Sequence, residues 1–148
     1  MHPFDIRSVV LAKHAQHVVI IHFPIALFIV GVAFDLLGIF RRNKMLQTAG
    51  YYNLSVAALT APLAVATGIL AWQLQLNAQR LHGIILLHLI LGTMSALLIC
   101  LVWWLQFKAT RAQTTSPSYI APLEIVAAAV VAITGHLGGF VSGVNTSG

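Results

Sequence analysis

The sequence predicts an all-α fold, an up-down-up-down bundle of four membrane-spanning helices in a single domain covering all 148 residues. Three observations carry that prediction. Hydrophobic residues make up 59% of the chain and charged residues only 7%, with a mean hydropathy of +0.90. A soluble domain of this size has too little interior to hide so much apolar surface, so lipid must solvate most of it. The apolar residues fall into four runs, each about long enough to cross a ~30 Å hydrocarbon core. Short polar segments separate the runs, which makes successive helices antiparallel neighbours.

Residues 1 to 16 read as a polar tail carrying Asp5, Arg7, Lys13 and His14. The apolar run that follows is too long for a cleavable leader and lacks a small-residue cleavage site, so it is expected to stay as the first helix. That helix spans about 18–40 and is interrupted only by His22 and Asp35. Arg41, Arg42 and Lys44 follow in a connection of roughly ten residues. Helix two, about 51–74, opens on Tyr51 and Tyr52 and closes on Trp72. Pro62 near its middle is expected to bend it, because proline removes one backbone bond. QLQLNAQ forms the next loop, and helix three covers about 82–105, ending on Trp103 and Trp104. KATRAQTTSPS is the polar linker to helix four, about 119–141, with Pro122 and Glu124 near its start, where both are favoured. The glycine-rich tail needs no fixed structure.

Lysine and arginine placement predicts orientation. Arg41, Arg42, Lys44, Lys108 and Arg111 fall on one side, against Arg7, Lys13 and Arg80 on the other. The positive-inside rule then puts both termini on the outer, periplasmic side of a bacterial inner membrane. Tyr51, Tyr52, Trp103, Trp104 and Tyr119 would form an aromatic belt at the inner interface. The net charge of +5 therefore reports membrane topology, and no nucleic-acid partner is expected. A single cysteine, Cys100, excludes an intrachain disulfide, and the absence of CxxCH excludes covalently attached haem. No dinucleotide fingerprint, P-loop or nucleophile elbow is present.

The chemistry lies in the histidines. His22, His88 and His136 each sit about four to six residues in from the outer end of a different helix, roughly 6 to 9 Å deep. His14, His17 and His82 lie nearer the same surface. His88 shares a helical face with Gly92 and Ser95, His136 with Ala129, Ala132, Gly139 and Gly143, and His22 with Ala26 and Ala33. Small neighbours let another backbone or a flat ligand approach closely. His17 points about 140° away from His22, toward the line of Gly31, Asp35 and Gly38. Any one imidazole could simply hydrogen-bond across helices, but three at matched depth are read as a shared ligand set.

Neutral imidazoles without thiolates or carboxylates suit haem iron, and also zinc or copper. Zinc would want three or four ligands, and Cys100, about 18 Å from His88 along the helix, cannot join them. Haem b, one or two per chain, is the favoured cofactor. Helices one and three are diagonal in such a bundle, so His22 with His88 is the preferred axial pair. His136 is an alternative partner of His88, or could serve a second haem with His17 or His82. Asp35 is expected to pair with Arg41 or Arg42, with a proton-relay role as the alternative, and Glu124 to be a charge at a helix start. No carboxylate lies at the depth of a histidine, so no catalytic dyad is expected.

HVVIIHFPIALFIVGVAFDLLG near the start and TGHLGGFVSGVN near the end resemble the bacterial membrane-protein family catalogued as domain of unknown function 2231, across His17 to Asn145. HFPIAL and GHLGG are its specific parts. The resemblance implies four helices and, because relatives occur fused to Rieske or c-type cytochrome domains, electron-transfer work. The combined expectation is a cytochrome b-like subunit of a larger redox complex, itself no self-contained enzyme. It would exchange electrons with a periplasmic cytochrome, a Rieske-type protein or the quinone pool. The alternative is a non-redox membrane subunit, or a metal-ion or proton conduit using the same histidines.

Overall fold

The computed structural model describes residues 13–75, 80–112 and 117–144, with side chains over 17–73, 80–112 and 117–140. Expectations for most of the polar tail, residues 76–79 of the QLQLNAQ loop, part of the third linker and the last residues fall outside these, while residues 73–75 of that loop are helical. Four helices account for the described chain: α1 Lys13–Arg41, α2 Lys44–Gln75, α3 Gly83–Arg111 and α4 Ile120–Val144. No strand occurs among the described residues. Each helix is long and apolar enough to cross a membrane. The helices form a ring in which α1 packs most extensively on α2, α2 on α3, α3 on α4 and α4 back on α1, leaving α1 and α3 diagonal.

The expected ten-residue connection between α1 and α2 is only Arg42 and Asn43. Arg42 takes a left-handed conformation with φ 51°. Its N–H donates to the Ile39 carbonyl and that of Asn43 to the Gly38 carbonyl, which satisfies the end of α1. The Asn43 side chain then accepts from the N–H groups of Met45 and Leu46, at 2.9 and 3.3 Å, and caps α2. The cationic stretch thus continues the helices instead of separating them. Pro62 does not interrupt α2, and Pro24 lies within α1. Pro122 occupies the first turn of α4, where no intrahelical N–H is needed.

Buried positions recur on each helix every three or four residues. They run Pro24, Phe28, Gly31, Asp35, Gly38 on α1 and Gly50, Leu54, Ala57, Ala61 on α2. On α3 they are Ser95, Ile99, Val102, Gln106, and on α4 Glu124, Ala127, Val131, Thr134. Such seven-residue spacing is the seam of a left-handed bundle. The α1–α2 contact is the tightest, because a Cβ added to Gly50 would stand 2.9 Å from both the Asp35 nitrogen and the Gly31 oxygen. Only glycine permits that approach.

Candidate functional site: an imidazole-lined cavity and a buried carboxyl cluster

The seam on α1 extends backward from Pro24 by seven residues to His17, and the seam on α3 backward from Ser95 by seven to His88. Both helices start at the same end of the bundle. His17 is four residues from the start of α1 and His88 five from that of α3. The two imidazoles therefore enter at similar levels, roughly 6 to 8 Å along their helices. There they line one cavity of about 200 Å³, walled by all four helices. The other lining groups are mostly apolar or small, among them Pro24, Gly68, Trp72, Gly92, Thr134 and Gly138.

Two glycines set the rings in place. A Cβ on Gly68 would come within 3.0 Å of the His17 ring, and one on Gly138 within 3.0 Å of the His88 ring. His17 is further oriented by Thr67, whose hydroxyl lies 3.0 Å from Nδ1. The same hydroxyl also lies 2.9 Å from the Ala64 carbonyl, and when it donates there it accepts from the His17 ring. His88 Nδ1 is buried and has no hydrogen-bond partner among the described residues. Nearby, the Ser95 and Thr134 hydroxyls share a 3.0 Å hydrogen bond that joins α3 to α4.

The other candidates fall elsewhere. His22 is exposed on the outside of α1, bonded through Nδ1 to the Val18 carbonyl of its own helix. His136 is exposed on α4 in an edge-to-face contact with Phe140, 5.0 Å between ring centres. The preferred pair His22 with His88 is thus not brought together, nor is His136 with His88. The physical reason is helical phase. His22 is 200° from Pro24 and His136 is 200° from Thr134, at 100° per residue, so both lie opposite their buried seams. Their small neighbours Ala26, Ala33, Ala129 and Ala132 are likewise exposed. His82 is exposed too, in extended backbone at the N-cap of α3, and its side chain makes no capping bond. It precedes Gly83, whose φ of +60° strongly favours glycine at that turn. Among the described residues, no three His, Cys, Asp or Glu side chains come together to hold a metal ion.

The acids also depart from expectation. Asp35 pairs with neither Arg41 nor Arg42, both of which are exposed. Its Oδ2 instead accepts a 3.0 Å hydrogen bond from Gln106 Nε2 on α3. The same amide nitrogen donates to Glu124 Oε1 on α4 at 2.9 Å. Glu124 is no exposed helix-start charge: it is fully buried at 0% exposure. The sequence signal was the phase of Glu124 with Ala127, Val131 and Thr134, and of Gln106 with Ile99 and Val102. Further polar pairs tie the bundle, including Trp103 Nε1 donating to Ser55 Oγ at 3.0 Å.

Comparison with known proteins places this geometry in a family context. A family model described as "Predicted membrane protein (DUF2231)" matches residues 13–146. No curated protein matches the chain, and no solved structure does.

Proposed function

Since the chain belongs to this family of membrane proteins, matched over residues 13–146, we propose that it is a haem b-binding electron-transfer subunit of the bacterial inner membrane. In this reading His17 and His88 would hold the haem iron. The single observation that carries it is that these two imidazoles, from diagonal helices and at one level, line the same cavity. The donor set suits the group. Two neutral imidazoles are what a six-coordinate haem iron takes, whereas zinc wants three or four ligands. The Thr67 hydroxyl, 3.0 Å from Nδ1, orients the His17 ring as outer hydrogen-bond partners do for ligating imidazoles. Gly68, Gly92 and Gly138 leave space that larger residues would fill.

At about 200 Å³ the cavity is smaller than the ~300–1,000 Å³ typical of ligand sites. A macrocycle would therefore need lining side chains to move aside. Bound haem would supply one-electron ferric–ferrous chemistry. The chain's part is to hold the two imidazoles, exclude water with an apolar lining, and keep the site near one membrane face. From there electrons would pass to a periplasmic cytochrome or Rieske-type protein, or to the quinone pool. In this reading it works as a relay within a larger complex.

The test is a reduced-minus-oxidised spectrum of the full-length protein purified from haem-replete cells. The expected result is a reducible Soret and α-band with close to one haem per chain. A colourless preparation that retains zinc or copper would instead favour the metal-conduit reading.

A further inference from the structure

At the opposite end of the bundle from the cavity, three helices contribute one polar group each to an interior shared with almost nothing else polar. Asp35 is 18 residues from His17 on α1, and Gln106 is 18 from His88 on α3, about 27 Å in each case. Asp35, Gln106 and Glu124 are 5%, 5% and 0% exposed. The Gln106 amide has two hydrogens on Nε2, and it gives one to each carboxyl. The two carboxyls are thereby held within 3.0 Å of one nitrogen, side by side. That leaves Glu124 Oε2, a fully buried oxygen with no partner among the described residues.

The cations of this end do not resolve the problem. Arg41, Arg42, Lys44, Lys108 and Arg111 are all exposed, whereas both carboxyls are buried. Two carboxylates side by side inside a membrane protein, facing only an amide, would leave two uncompensated charges at low dielectric. One proton between them removes a charge and gives the stranded oxygen a bond to make. We propose that Asp35, Gln106 and Glu124 form an intramembrane proton-binding site, in which Glu124 Oε2 carries an exchangeable proton shared with Asp35. Loading forms an O–H bond at Oε2 and unloading returns the same proton; no electrons move. Gln106 is the positioning residue, because its two donors fix which carboxyl oxygens remain to share that proton. The site does not depend on a cofactor in the cavity.

The composition makes this site testable with unusual selectivity. Glu124 is the single glutamate in the chain, and the only other carboxyl side chains are Asp5 and Asp35. Labelling with 13C-carboxyl glutamate therefore edits one group without mutation. Infrared spectra of the full-length protein in lipid at neutral pH should show a protonated-carboxyl C=O stretch. That band should move with the glutamate label and shift again in D2O. It should be lost in Glu124→Gln, be perturbed in Asp35→Asn and persist in Asp5→Asn. If the label moves only carboxylate bands, Glu124 carries no proton and the proposal fails. If the band is present but unmoved after prolonged exchange into D2O, the proton is a fixed structural one and the proposal also fails.

Discussion

The Thr67 hydroxyl lies 3.0 Å from His17 Nδ1 and 2.9 Å from the Ala64 carbonyl, so a neighbouring helix orients the His17 ring. Thr67→Val removes that hydroxyl from Nδ1. If His17 ligates haem, affinity should fall about ten- to a hundred-fold, the usual cost of losing an outer-shell partner. Thr67→Ser should retain most of it, and haem titration of the purified variants reads the difference. Gln106 offers a second test at the same scale. Gln106→Leu leaves both Asp35 and Glu124 without their shared donor and should destabilise the bundle by about 1–3 kcal/mol, read as a lowered unfolding midpoint in detergent. Residue-level pattern was also where the sequence misled. His17 could be placed near the line of Gly31, Asp35 and Gly38 from phase alone, and His88 with Gly92 and Ser95, and both lines face the bundle interior, buried or half-buried. His22 and His136 were drawn inward by small neighbours, yet alanine on a membrane helix is as comfortable against lipid as against protein. Gln106 escaped notice because an uncharged residue in an apolar run stands out less than a histidine.

The elements are held by close backbone approach more than by bulk. Between α1 and α2, a methyl group on Gly50 would meet the Asp35 nitrogen and Gly31 oxygen at 2.9 Å, and both are backbone atoms that cannot swing away. Gly50→Ala should therefore cost about 1–3 kcal/mol of stability. Gly139→Ala, with nothing within 4 Å, should stay within about 0.5 kcal/mol of the parent. Thermal unfolding of the two variants side by side checks both. At the α1–α2 link, Asn43→Ala removes the acceptor for two N–H groups and should cost about 1 kcal/mol by the same assay. Helix number and order were legible from hydropathy, since each apolar run is long enough to span. The ends were not. Lipid-facing hydropathy marks where a helix is apolar, not where it stops, so α2 begins at Lys44, well before its aromatic start. The stop between α1 and α2 is encoded instead in the left-handed Arg42 and the cap at Asn43.

At the scale of the whole molecule, the buried or cavity-lining ionisable groups among the described residues fall mainly at two levels of a largely apolar bundle. Imidazoles face a cavity near the end where α1 begins, and an amide-bridged carboxyl pair lies toward the other. Much of the surface between is exposed apolar side chain, such as Phe23, Leu59, Leu97 and Ile133, as a lipid-facing surface should be. Trp103, Trp104 and Phe107 stack at the carboxyl end, where Arg111 lies 5.2 Å over the Phe107 ring. This is the amphipathic pattern of a membrane interface. The arrangement explains why distant sequence positions matter together: each level draws on residues from three or four helices, which pairwise spacing along the chain cannot reveal.

Haem binding at this site would depend on the imidazoles that reach the cavity. The most direct measurement is haem content and the reduced-minus-oxidised spectrum of four single variants, His17→Ala, His88→Ala, His22→Ala and His136→Ala, purified in parallel with the parent. Loss or large perturbation of the α-band in the first two, with near-parental spectra in the last two, is the predicted result. Full haem retention in His17→Ala together with its loss in His22→Ala would contradict it.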